Sequence, residues 1–132
     1  MGRRYMITVT LREILNCMTV FNELSQKELP AKVAFATARI SEQLSSEYSM
    51  FEKTRDKIFQ KYCEYDENGN LKMGENNEIV VKNGDEVAFN QEVTDLLDTK
   101  VEINASPIAL ESLSELNFKP AQMMAMKSFI EE

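Results

Sequence analysis

From Ala31 to Glu64 the chain contains neither glycine nor proline. Within that run Val33, Thr37, Ile40, Leu44, Tyr48, Phe51, Arg55, Ile58 and Tyr62 follow one another at steps of three and four. Such spacing puts all nine on one face of an α-helix, and its persistence over several heptads has the form of a coiled-coil seam. A strand would need alternation every second residue, so this segment is read as one long helix. Leu29-Pro30 fixes its start, because proline disfavours helical geometry in the residue before it but suits a first helical position. Ala31, Ala34, Ala36 and Ala38 make the first turns slim enough for another helix to approach. The far end is basic, with Lys53, Arg55, Lys57 and Lys61.

Upstream, residues 5–10 (Tyr-Met-Ile-Thr-Val-Thr) alternate in the manner of a short strand. Thr10-Leu-Arg-Glu13 is a capping-box pattern, and Leu11, Ile14, Leu15, Met18, Phe21 and Leu24 continue as a helical stripe. The first two helices are expected to form an antiparallel hairpin.

Downstream the composition changes. Asp66-Glu67-Asn68-Gly69-Asn70 and Gly74-Glu75-Asn76-Asn77 read as turns, because Asn-Gly tolerates positive φ. Leu71–Met73 and Glu78–Val81 read as the strands of a small hairpin, which Asn83-Gly84-Asp85 ends. Asp85 then caps a third helix bearing Phe89, Val93, Leu96 and Leu97. Val101-Glu102-Ile103 is a strand able to pair with residues 5–10. Ser106-Pro107 predicts a short helix carrying Ile108, Leu110, Leu113 and Leu116. Lys119-Pro120 predicts a last helix with Met123, Met124, Met126, Phe129 and Ile130. No internal repeat is apparent. The expected fold is a single α+β domain over residues 1–132, mostly helical: a helical hairpin with one long member, a small antiparallel sheet or hairpin, and shorter C-terminal helices.

Several chemistries are disfavoured. The chain has no histidine, which removes histidine-dependent nucleophilic catalysis and histidine metal sites. No glycine-rich phosphate loop is present. Neither a secretory leader nor an apolar run long enough to span a bilayer is evident, so cytoplasm is the expected compartment. Cys17 and Cys63 match no zinc spacing and are expected to be free thiols, although a disulfide between them stays open. Asp66, Asn68 and Asn70 resemble the start of a calcium loop. However, the sixth position is Leu71 where glycine is needed, and the twelfth is Asn77, with Glu78 one residue late. An Asx-rich turn explains them better. No cofactor or metal is expected, and the chain is read as a non-enzyme.

Charge leaves two readings, a solvated surface that keeps the chain soluble or a face that binds a partner. Residues 1–63 carry ten Lys/Arg and seven Asp/Glu, while residues 64–132 carry five and fifteen. Glu92, Asp95 and Asp98, on the solvent side of the third helix, are the first candidates for contacting a partner. Glu75 and Glu78 on the hairpin come next. The crowded methionines Met123, Met124 and Met126 are a further candidate, since thioethers suit both adaptable surfaces and irregular cores. Met123 and Met126 share a helical face that Met124 does not. Glu52–Arg55 and Lys53–Asp56 look like helix-surface ion pairs, so direct nucleic-acid binding by the basic end of the long helix is not expected.

Motifs along most of the chain resemble a family of small uncharacterised bacteriophage or prophage proteins. They are Leu11-Arg12-Glu13-Ile14-Leu15, Leu29-Pro30-Ala31-Lys32, Phe51-Glu52-Lys53-Thr54-Arg55, Asp66-Glu67-Asn68-Gly69-Asn70, Phe89-Asn90-Gln91-Glu92-Val93, Leu96-Leu97-Asp98, Val101-Glu102-Ile103, Met124-Ala125-Met126 and Ile130-Glu131-Glu132. The resemblance implies action inside a bacterial host or a phage particle and transfers no catalytic residue. Together with the charge, it suggests a protein that binds and modulates a host or phage protein, one form of which is an acidic mimic of nucleic acid. The alternative is a minor virion or virion-assembly component. A homo-oligomer stays open.

Overall fold

A computed structural model describes residues 6–114 and 116–131. Tyr5, the first residue of the expected strand, and Glu132 lie outside them. The element order is β1 (Ile7–Thr10), α1 (Leu11–Ser25), α2 (Ala31–Tyr62), α3 (Glu86–Leu97), β2 (Lys100–Ile103), β3 (Ile108–Ala109), α4 (Pro120–Met126) and β4 (Ile130–Glu131). Two short 3₁₀ turns, Leu110–Leu113 and Lys127–Phe129, complete it. The fold is α+β and mostly helical, with α2 by far the longest element. The chain divides into two compact units: one is the chain up to Tyr48 together with the chain from Thr99, the other is Ser49–Asp98.

In the first unit β1 and β2 pair antiparallel, Ile7 opposite Ile103 and Val9 opposite Val101. Alternation sends Ile7, Val9 and Ile103 into the core and leaves Thr8 and Glu102 outside. The turn into α1 is held as Thr10 and Glu13 predict: the Glu13 amide donates to Thr10 Oγ1 at 3.2 Å, and the Thr10 amide donates to Glu13 Oε1 at 3.2 Å. The buried side of α1 is Leu11, Ile14, Cys17, Val20, Phe21 and Leu24. Leu15 and Met18 are only half-buried, so the stripe is rotated from the expected one. The small Cys17 and Val20 occupy its centre.

Among helices, α1 runs alongside α4 more extensively than any other. There the Phe21 and Phe129 rings meet edge-on at 5.2 Å, a favoured aromatic geometry. In α2 the seam holds: Val33, Thr37, Ile40 and Leu44 in this unit are buried, while Phe35, between them in sequence, is 68% exposed. Ala31, Ala34 and Ala38 are exposed and Ala36 half-buried, so the slim turns are not filled by another helix.

The C-terminal region departs from expectation. Ile108 and Ala109 are not helical. They form a short parallel pair with Ile130 and Glu131, followed by a single 3₁₀ turn. The last helix ends at Met126, and a 3₁₀ turn delivers Phe129 onto Phe21 before the chain extends. Helix propensity loses here to a backbone pairing between segments more than twenty residues apart, which periodicity cannot reveal. Pro120 does open α4, and Gln122 Oε1 accepts from the Lys119 amide at 2.8 Å.

The second unit contains the larger surprise. Residues 63–84 make three successive turns, and the expected hairpin, closed by Met73 opposite Ile79, is the second of them. Isolated antiparallel bridges join Tyr65 to Leu71, Met73 to Ile79, and Cys63 to Val81. The backbone bonds close a ring. The Glu64 amide donates to Val80 O at 2.9 Å, Lys72 to Glu64 O at 2.9 Å, and Val80 to Lys72 O at 3.2 Å. The donors are eight residues apart, so Glu64, Lys72 and Val80 occupy equivalent places in an eight-residue repeat. Each turn contains a residue in left-handed geometry: Gly69 (φ 80°), Asn77 (φ 60°) and Gly84 (φ 90°). Phe51, Ile58 and Cys63 are the buried apolar residues of this unit. Phe89 of α3 meets Phe59 and Tyr62 at centroid distances of 6.1 and 6.4 Å. Asp85 stands at the N-cap of α3, yet its side chain makes no capping bond. Glu86 reaches back instead, accepting from the Gly84 amide at 3.0 Å.

Candidate functional site

The acidic candidates belong to the second unit, and the ring of turns determines what each can do. Three carboxylates are used as latches. Asp66 Oδ1 accepts from the amides of Asn68 and Asn70 at 2.9 and 3.0 Å, Glu78 Oε2 from Asn76 at 3.1 Å, and Glu86 from Gly84. Asp66 therefore stabilises its own turn. Glu78, a candidate contact residue, is likewise committed to its turn, folding over Gly74, where a Cβ would collide with its carboxylate. Glu75 and Glu67 stand exposed at the turn tips.

On α3 the three acids separate. Asp95 and Asp98 are exposed, and Asp95 accepts from Gln91 Nε2 at 2.8 Å. Glu92, expected beside them on the solvent side, turns toward α2 and pairs with Lys61 at 3.5 Å. One turn of helix separates Phe89 from Glu92, so the side that seats Phe89 against α2 also carries Glu92. Tyr62 and then Glu92 raise the pKa of Lys61. The basic stretch of α2 is similarly engaged. Arg55 lies 5.8 and 5.5 Å from the ring centroids of Phe51 and Phe59 and pairs with Glu52 and Asp56 at 3.7 and 3.4 Å. Asp56, expected on Lys53, thus engages Arg55.

The methionines lie in the first unit. Met126 is fully buried, Met123 half-buried and Met124 67% exposed. The two facing residues enter or approach the core while the third points away. Both cysteines are free and buried. Burial pushes the Cys17 thiol up to about 12, against a smaller lowering by its own backbone hydrogen bonding and with Glu13 adding to the rise. Its Sγ also donates to Ile14 O at 3.4 Å. Burial likewise raises Cys63, with Lys82 opposing it. Such thiols are poor nucleophiles.

No protein-family model, no curated protein and no solved structure matches this chain.

Among the described residues no three or more carboxylates and cysteines gather closely enough to hold a metal ion, and no helix is long and apolar enough to cross a membrane. What sequence reasoning overlooked is the turn latch Glu86, and a cleft in the first unit beside Phe35 and Arg39. That latch had a signal: Glu78 stands eight residues before Glu86, in step with the recurrence of Glu67-Asn68 as Glu75-Asn76. The cleft had none, since its two walls are more than sixty residues apart in sequence.

Proposed function

We propose that this protein binds another protein through the acidic turns and the exposed side of α3, and performs no catalysis of its own. The supporting observation is the distribution of charge in Ser49–Asp98. That unit carries twelve Asp/Glu and six Lys/Arg, and ten of the twelve acids follow Cys63 while four of the six bases precede it on α2. Glu67 and Glu75 are exposed on turns tied by their own backbone, and Glu86, Asp95 and Asp98 are exposed on α3 and at its C-terminal end. Ordered carboxylates lose little conformational freedom on binding and steer a basic surface toward them. The resemblance to bacteriophage proteins extends the proposal: the partner is a host or phage protein with a basic surface, of the kind that otherwise contacts nucleic acid.

The test is capture from bacterial lysate on the immobilised protein at about 50 mM and about 500 mM salt, since screening shortens severalfold over that range. A second column carries Glu67→Gln, Glu75→Gln, Asp95→Asn and Asp98→Asn together. Basic proteins held at low salt by the native chain and absent from the variant support the reading. Equal retention on both columns refutes it and directs attention to Met124.

A further inference from the structure

The first unit contains a cleft of about 990 Å³ between the start of α2 and residues 104–112. Its apolar lining includes Val33 and Ile108, both buried, together with Ala36 and Pro107. Phe35, 68% exposed, forms a lip. Lys32 and Arg39 lie on the same helical face as Ala36, seven residues apart, which is about two turns or 10 Å along α2. Ala36 contributes only a methyl group between them, and this is the space the slim alanine turns leave open.

Arg39 is held in place. Its Nε donates to Asn104 O at 3.2 Å. The same Asn104 is clasped by Gln43, which donates Nε2 to its carbonyl at 2.6 Å and accepts from its amide at 2.8 Å. The loop after β2 is thus fastened to α2 by Gln43, and the Arg39 guanidinium is oriented from that loop. Its terminal amino groups form no hydrogen bond with any described residue. An oriented guanidinium beside an apolar pocket and an aromatic ring is the arrangement that takes a planar anionic group with an apolar body attached, because the fork geometry matches two acceptor oxygens and little rotamer entropy remains to be lost.

We propose that this cleft is a binding site for a small organic anion, a carboxylate or sulfonate on an aromatic or aliphatic body, with Arg39 holding the charged group and Phe35, Ala36 and Ile108 receiving the body. The site is separate from the acidic face and independent of it.

The probe is 8-anilinonaphthalene-1-sulfonate, added to the full chain and followed by amide chemical shifts in NMR. The uncharged N-phenyl-1-naphthylamine, of the same body, is the comparison. Expected are saturable shifts confined to the first turns of α2 and residues 104–109, at one equivalent, with the neutral analogue about tenfold or more weaker. Arg39→Gln should weaken the anion by a similar factor and leave the neutral compound unaffected. Because Gln43 still clasps Asn104, the melting temperature should not change. Ala36→Phe, which fills the cleft, should abolish both. Equal binding of the two compounds, an Arg39→Gln variant that binds normally, or shifts centred on Met124 or α3 each overturn the proposal. So does sedimentation showing that a second copy of the chain covers Phe35.

Discussion

Cys17 shows how much one buried atom can report. Its thiol titrates near 12 in the folded chain against an ordinary value of 9. Between those values the unfolded chain has lost the proton and the folded chain keeps it. Stability is therefore fully present below pH 9 and declines above it, by about 1.4 kcal/mol per pH unit until pH 12. Urea melts at pH 8, 9.5 and 10.5 should show this slope, and Cys17→Ala should remove the Cys17 part of it. A slope that survives the substitution assigns it to other groups. At the turns, Gly69 has φ 80° and nothing near its missing Cβ. Gly69→Ala therefore acts through the backbone alone and should cost about 1–2 kcal/mol. Asp66 bonds two amides of its own turn and lacks the closing ligands of a calcium loop, so millimolar calcium should leave the melting temperature where it is. A rise of several degrees, abolished by Asp66→Ala, would contradict that.

Among the elements, α2 and α3 form a pair of opposites. Leu44 is 1% exposed at the centre of the α2 seam, and Leu44→Ala should destabilise by about 2–5 kcal/mol. A loss below about 0.5 kcal/mol would mean the seam is not a packed core. By contrast α3 buries none of its residues completely, although it carries Phe89, Val93, Leu96 and Leu97. Local opening is cheapest where apolar cover is thin. Amides of α3 should accordingly exchange with solvent faster than those of α1, which buries six; equal protection would sink this expectation.

The same contrast explains what could be read in advance. The long helix, the Thr10–Glu13 box, the strand character of β1 and β2 and Pro120 were legible because each rests on residues within a few positions or on strict alternation. The β3–β4 pairing was hidden because Ile108 and Ile130 find each other only in three dimensions. The ring at Glu64, Lys72 and Val80 was hidden because its bonds are made by backbone, and the side chains at those positions are an acid, a base and an apolar residue. Of the three acids read as solvent-facing on the third helix, Asp95 and Asp98 are exposed. The facing of Glu92 was not legible, since nothing in sequence announces Lys61 across from it.

In the molecule as a whole the charge is partitioned between the two units. Outside Ser49–Asp98 there are nine Lys/Arg against ten Asp/Glu, nearly neutral, so almost the whole imbalance falls within that unit. Ten acids and two bases lie within residues 64–98, and their mutual repulsion opposes compaction. Raising salt from about 10 mM to about 150 mM should therefore lift the melting temperature by a few degrees, as the screening length contracts. A fall would mean that pairs such as Lys61–Glu92 outweigh the repulsion.

The ring of turns leaves α2 and comes back to it. Cys63 and Val81 face each other across an antiparallel bridge, a separation of about 5 Å that one or two residues of chain can span. Everything between them is a closed excursion whose length leaves no trace at its base. Evolution or an engineer could exchange those residues for a short joint, or for a different loop, without re-threading the helix that bears them. If recognition does lie on these turns, specificity can change in one cassette while the frame stays constant.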